Sequence, residues 1–169
     1  IALLAEKDRA LRTILPYLEA INQRNPEKPR VRFFEGREGI NSIYQEIFMA
    51  KEMRFFGSIK AIKTHIPEIL SQFDHLANSG KIRIYDLLTD TPEDRLHAAQ
   101  TERPGYAIRF FPKDLTFSID ATMFGNKLAM IAFTPNFHGF IIESDDIVQA
   151  FRAFWELAWR GATPYQKGA

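Results

Sequence analysis

The chain has no cysteine. Disulfides, thiolate metal sites and cysteine nucleophiles are thereby excluded, and the usage fits a reducing, cytoplasmic setting. It has no long apolar run either: nothing approaches the ~18 residues that a membrane-spanning helix needs, and no secretory signal pattern is present. Charge of one sign is not in excess, since 22 Lys and Arg stand against 21 Asp and Glu for a net charge of +1. A sequence-independent hold on nucleic acid therefore has no electrostatic basis in this balance. Histidine is scarce. His65, His75, His97 and His138 include no pair at metal-ligand spacing, and His65 and His75 are expected on helix surfaces. No G-x-S-x-G elbow occurs. The run "EGREG" at 35–39 lacks both the Lys-Ser/Thr and the three-glycine spacing of phosphate loops. Neither a metal nor a cofactor is expected.

What is present is core material. The 169 residues are 46% hydrophobic and 13% aromatic, with 15 Phe, enough for one ordinary domain. The first residues already read as helix, without an initiator Met, as in a piece of a longer protein. Leu4, Leu11 and Leu18 recur every seven residues, with Ile14 and Ile21 offset by three, a narrow seam of coiled-coil type. Pro16 interrupts it, so two helical pieces are expected to meet there. The seam serves either a dimer or packing on the chain's own domain. "QRNPEKPR" at 23–30 then reads as a polar linker. Two units follow from this reading: a helical linker and dimerisation segment at 1–27, and a folded domain at 28–169.

Beyond the linker, strand and helix patterns alternate. A strand is expected at Arg30–Glu35, then a helix over 37–50 with Ile40, Ile43, Tyr44 and Ile47 on one face. A strand at Met53–Gly57 precedes a helix over 60–78, adjusted at Pro67. "KIRIYDLLT" reads as a strand, and "TPEDRLHAAQ" as a helix with Thr91 as N-cap and Pro92 at its first position. "GYAIRFF" and "FHGFIIES" read as strands, and a hairpin turns at Gly125-Asn126 between them. The closing helix spans about Asp145 to Arg160, with Ile147, Phe151, Phe154, Trp155 and Ala158 expected inside. "ESDD" at 143–146 is read as a helix start, Ser144 capping and two aspartates meeting the dipole, in preference to a metal cluster. The fold class is α/β, a mixed and largely parallel sheet flanked by helices. Ligands of such sheets bind beyond the carboxyl ends of the strands. Glu35-Gly36 sits at one of those ends, as a ligand contact or as a helix cap.

"ILPYLEAINQRNPEKPRVRFFEGREGINSIYQEIF" at 14–48 and "FRAFWELAW" at 151–159 resemble the linker junction and the closing helix of TrmB-like transcriptional regulators. The resemblance implies a helical linker followed by an effector domain of phospholipase-D-like fold. It also implies a homodimer paired through Leu4, Leu11, Ile14, Leu18 and Ile21. DNA would be bound only through a winged helix not contained in this chain, and the partner sensed would be a small-molecule effector, a sugar or another compound. The phospholipase D signature is His-x-Lys-x4-Asp followed by Gly-Ser-x-Asn. Laid on "IDATMFGNKLAMIAFTPN", it puts Ile119 at the His, Ala121 at the Lys and Asn126 at the Asp. Phe133, Thr134 and Asn136 take the Gly, Ser and Asn positions, so only the last matches. With no His-x-Lys anywhere, the chain is expected to have no catalytic residue and not to be an enzyme. The alternatives are a phospholipase-D-like phosphodiesterase or nuclease half and a stand-alone protein-interaction domain. Candidate ligand contacts at the same sheet edge are Glu35, Phe34, Asp120, Thr122, Phe133, Thr134 and Asn136, with Phe124 beside them.

Overall fold

The computed structural model describes residues 29–101 and 104–166. The seam residues Leu4, Leu11, Ile14, Leu18 and Ile21 lie outside the described residues. Among the described residues eight strands form one sheet in the order β1-β7-β6-β5-β2-β3-β4-β8. In chain order these are β1 (Arg30–Glu35), β2 (Glu52–Gly57), β3 (Arg83–Leu88), β4 (Tyr106–Phe110), β5 (Ile119–Phe124), β6 (Lys127–Ala132), β7 (His138–Glu143) and β8 (Thr163–Pro164). The helices are α1 (Gly36–Phe48), α2 (Ile59–His65), α3 (Pro67–Asn78), α4 (Pro92–Gln100) and α5 (Asp145–Gly161).

The sheet is mixed, as expected, but not largely parallel. Only β2–β3 and β3–β4 pair in parallel. The meander β5–β6–β7 inserts between β1 and β2 through antiparallel pairings. The physical reason is visible in β5, whose last five residues, Asp120 to Phe124, are all buried. A strand buried on both faces has to lie inside the sheet, and the hairpin carries β6 in with it. Successive antiparallel steps leave β1, β6, β2, β3 and β4 running the same way, so their carboxyl ends share one edge of the sheet.

On one face, α1 buries Ile40, Ile43, Tyr44 and Ile47, each worth roughly 1.5–3 kcal/mol relative to exposure. The helix expected over 60–78 is two helices. Pro67 has no N–H to donate and disfavours the helical conformation at the residue before it. Ile66 accordingly takes φ −144°, ψ 58°, and α3 restarts with the proline in its first turn. Ile66, Ile69 and Phe73 then bury under the sheet.

The opposite face is covered by α5. Its buried stripe is Val148 and Trp155, with Phe151, Ala158 and Trp159 packed against them. Phe154, expected inside, is 69% exposed: one residue before Trp155, it lies about 100° round the helix from the stripe. Ile147 is half-buried and yields its expected place to Val148. The Trp155 Nε1–H donates to the Phe55 carbonyl at 2.9 Å, which ties the helix to β2. Trp155 and Trp159 stack at 4.7 Å. Arg54 lies over Trp155 and Arg109 over Trp159, at 5.7 and 4.9 Å, extending the stack by cation–π contact.

Candidate functional site

The carboxyl ends of β2 and β3 meet the start of β5 beneath α2 and α3. Gly57 is the last residue of β2 and pairs with Asp120 of β5; two residues earlier, Phe55 pairs with Asp86 of β3. Strand alternation turns Asp86 and Asp120 to the same face. A Cβ on Gly57 would stand 3.0 Å from Asp120 Oδ1 and 3.1 Å from the Ile119 carbonyl. The glycine leaves the floor between the two carboxyls open. A cavity of about 30 Å³ results, room for about two waters.

Its polar lining is Asp86, Asp120, Tyr44, Tyr106 and Ser58, and its apolar walls include Phe55, Ile59, Ile62, Ile69 and Phe73. Leu70 and Tyr106 are the two lining residues left half-exposed, so the mouth opens between α3 and β4. Tyr44 of α1 donates its hydroxyl to Asp120 Oδ2 at 2.6 Å. Tyr106 of β4 donates to Asp86 Oδ2 at 2.8 Å, and His97 Nε2 stands 3.2 Å from the same hydroxyl. Behind them Asp94 is wholly buried. It accepts from Thr89, from Thr91 Oγ1 at 2.6 Å and from the Ile59 amide at 2.8 Å. That carboxylate ties the start of α4 to the start of α2. Thr91 caps α4 as the sequence indicates, accepting from the Asp94 amide at 3.2 Å.

Asp86 and Asp120 are 3% and 2% exposed. Burial pushes the Asp86 carboxyl up to about 7; the Tyr106 hydrogen bond pulls it down, and the charges of Asp120 and Asp94 add to the rise. Burial raises Asp120 to about 6 against the pull of Tyr44. Burial, then the Asp120 charge, drives the Tyr44 hydroxyl well above its ordinary value. Among the described residues no Lys or Arg side chain forms an ion pair with either carboxylate. Two carboxyls that exchange protons near neutrality, in one cavity, have the chemistry of general acids and bases or of a ligand site.

The residues expected to contact ligand divide between two places. Glu35 and Phe34 end β1, and the Gly36 amide, at φ +69°, donates to the Phe137 carbonyl at 2.9 Å. This joins them to the β6–β7 loop with Phe133, Thr134 and Asn136. Glu35, Thr134 and Asn136 are exposed, and Glu35 makes no side-chain cap to α1. Phe133 is 3% exposed and stacks on His65 at 5.5 Å, so His65 is packed and half-buried, not free on the helix surface as expected. Asp120 lines the cavity. Thr122, two residues on, is buried with a hydroxyl that has no hydrogen-bond partner among the described residues, and Phe124 joins the core. Asp86, Tyr106, Tyr44, Asp94 and His97 were not singled out as site residues. Asp86 carries a readable signal, a lone carboxylate inside the otherwise apolar strand "RIYDLL". Ser144 caps α5 as expected, accepting from the Ile147 amide. Among the described residues no group of three ligating side chains is placed to hold a metal ion, and no helix is long and apolar enough to cross a membrane.

No family model matches this sequence, and no curated protein matches it. Solved structures do. Nuc from Salmonella typhimurium, a phospholipase D family member, is similar at TM-score 0.63 and 14% identity, over 83% of this chain and 100% of that one. TrmBL2, an archaeal chromatin protein with a novel mode of DNA binding, is similar at TM-score 0.57 and 14% identity, over 97% of this chain. The chain spans 63% of the length of TrmBL2. Phosphatidylserine synthase from Haemophilus influenzae is similar at TM-score 0.57 and 12% identity, over 83% of this chain and 41% of that one. These neighbours correct the expectation that the chain is not an enzyme. Its fold is shared with a phospholipase D family member and a synthase, and its cavity holds two carboxyls poised near neutral pH. The missing His-x-Lys pair therefore does not exclude catalysis.

Proposed function

We propose that this chain is the effector-sensing domain of a TrmB-like, DNA-binding transcriptional regulator, and that the effector enters the cavity between α3 and β4. The similarity to TrmBL2 carries this reading, because it extends over 97% of the chain where that to Nuc extends over 83%. In this reading Asp120 and Asp86 meet the ligand, and Glu35, Phe34, Thr122, Phe133, Thr134 and Asn136 line or support the same sheet edge. The protein works as a homodimer paired through Leu4, Leu11, Ile14, Leu18 and Ile21, and the ligand alters the geometry of the linker. The double substitution Leu11→Glu with Leu18→Glu is expected to give a monomer by light scattering; a dimer that survives both changes places the contact elsewhere.

The test uses the protein expressed from its intact gene. A metabolite that raises the melting temperature of this chain is expected to change DNA affinity about fivefold or more by fluorescence anisotropy. It is expected to lose both effects in Leu70→Trp, which covers the mouth.

A second reading, a phosphodiesterase half of phospholipase D type, is favoured by the match to Nuc over all of that protein. Hydrolysis of bis(p-nitrophenyl) phosphate that disappears in Asp120→Asn, with no metabolite altering DNA affinity, replaces the first reading by the second.

A further inference from the structure

The cavity has a charge balance that narrows its ligand. Its two carboxyls are held by neutral donors, the hydroxyls of Tyr44 and Tyr106. Among the described residues no cationic side chain pairs with Asp86 or Asp120. A buried carboxylate is costly unless a positive charge and further hydrogen bonds compensate it. An anionic ligand such as phosphate would add to the repulsion between the two. A neutral polyol would donate hydrogen bonds and leave the charge unbalanced. A primary ammonium supplies both the charge and three N–H donors.

The walls complete the selection. Phe55 and Phe73 present aromatic rings to the cavity beside Ile62 and Ile69, a surface that favours a cation carrying an apolar tail over a hydrated metal ion. About 30 Å³ accommodates a head of two or three non-hydrogen atoms, and a longer tail leads out between Leu70 and Tyr106. Gly57 keeps the floor open where any Cβ would press on Asp120 Oδ1.

Building on the reading of this cavity as the effector site, we infer that it binds a small primary alkylammonium, its ammonium group against the Asp86 and Asp120 carboxylates and its alkyl tail toward the mouth. Because the ammonium binds the ionised carboxylates, it displaces protons that both hold at mildly acidic pH. The raised carboxyls, about 7 for Asp86 and about 6 for Asp120, are consistent with that exchange. Among the described residues the other titratable groups around them are Tyr44, Tyr106, Asp94 and His97.

The probes are methyl-, ethyl- and n-propylammonium chloride, titrated calorimetrically at constant ionic strength in KCl, beside propan-1-ol, propionate, inorganic phosphate and neutral saccharides. Saturable binding of an alkylammonium at pH 8 is expected, about tenfold or more weaker at pH 5 and in Asp86→Asn, with none for propanol or propionate. Asp86→Asn keeps an acceptor for Tyr106, and its melting temperature shows that it folds; Gly57→Ala, which fills the floor, is expected to weaken binding too. Absence of saturable binding by all three amines overturns the inference, as does equal affinity for propanol or undiminished affinity in Asp86→Asn. Binding of a saccharide or phosphate in place of the amines overturns the ligand class and leaves the sensor reading standing. Amine binding that leaves DNA affinity unchanged supports the ligand class and removes the regulator reading.

Discussion

Replacing Asp86 by Asn tests the central feature of the cavity, a buried carboxyl that has no cationic partner among the described residues. Its folded value of about 7 stands above the ordinary 3.8 because burial opposes ionisation. Between those two values the folded chain holds a proton that the unfolded chain has released, and stability falls with rising pH by about 1.4 kcal/mol per unit. The contribution is complete below the unfolded value and lost as pH passes through 7. From pH 5 to pH 8 this one group removes about 2.5 kcal/mol of stability, or roughly 5–10 °C of melting temperature for a chain of this size. Asn cannot ionise, yet its side-chain oxygen accepts from the Tyr106 hydroxyl in the same place. Urea unfolding of both proteins at pH 5, 6, 7 and 8 is the assay. The wild type is expected to lose about 2.5 kcal/mol more than Asp86→Asn across that range, the variant being the more stable at pH 8. Parallel pH profiles for the two, within about 0.5 kcal/mol, would refute the argument, because Asp86 would then ionise as easily folded as unfolded.

Three further outcomes are expected. Tyr44→Phe removes the hydroxyl 2.6 Å from Asp120, costs about 1–3 kcal/mol, and raises the Asp120 carboxyl further, a shift that carboxyl-carbon NMR titration reads directly. Asp94→Ala strips the acceptor from Thr89, Thr91 and the Ile59 amide and costs about 3–5 kcal/mol in urea melts; a change below 1 kcal/mol contradicts its role as the tie between α2 and α4. Glu46 is held down to about 2, chiefly by its hydrogen bonds to Arg32 and then by Lys127. Its stabilisation is therefore present above pH 4.5 and lost as the pH falls toward 2. Glu46→Gln is expected to cost about 1–2 kcal/mol at pH 7 after allowance for partial exposure and to match the wild type near pH 2.

Local pattern and tertiary neighbourhood divide this protein between them. The apolar repeat of Ile40, Ile43, Tyr44 and Ile47, the Thr91 and Ser144 caps and the turn at Gly125-Asn126 act over a few residues and are legible in order along the chain, whereas Pro67 reads as an adjustment within one helix and in fact divides two. The mixed α/β class followed from them. The insertion of β5–β6–β7 between β1 and β2 was not legible, because strand order depends on which faces bury together, not on chain order. Phe154 is expected inside and stands exposed because, in a helix with apolar residues on several sides, sequence periodicity does not fix the buried stripe to within one residue, about 100° of rotation. The site was half legible. Asp120 was picked out from its strand edge, whereas its companions Asp86 and Tyr106 come from strands two and three positions along the sheet and Tyr44 from a helix 76 residues away. What the sequence by itself determined is an α/β domain with a carboxylate set into an apolar strand. Only the folded sheet decided that a second carboxylate would share the same cavity with no ion-paired cation among the described residues, since proton affinity is set by the surroundings that burial creates.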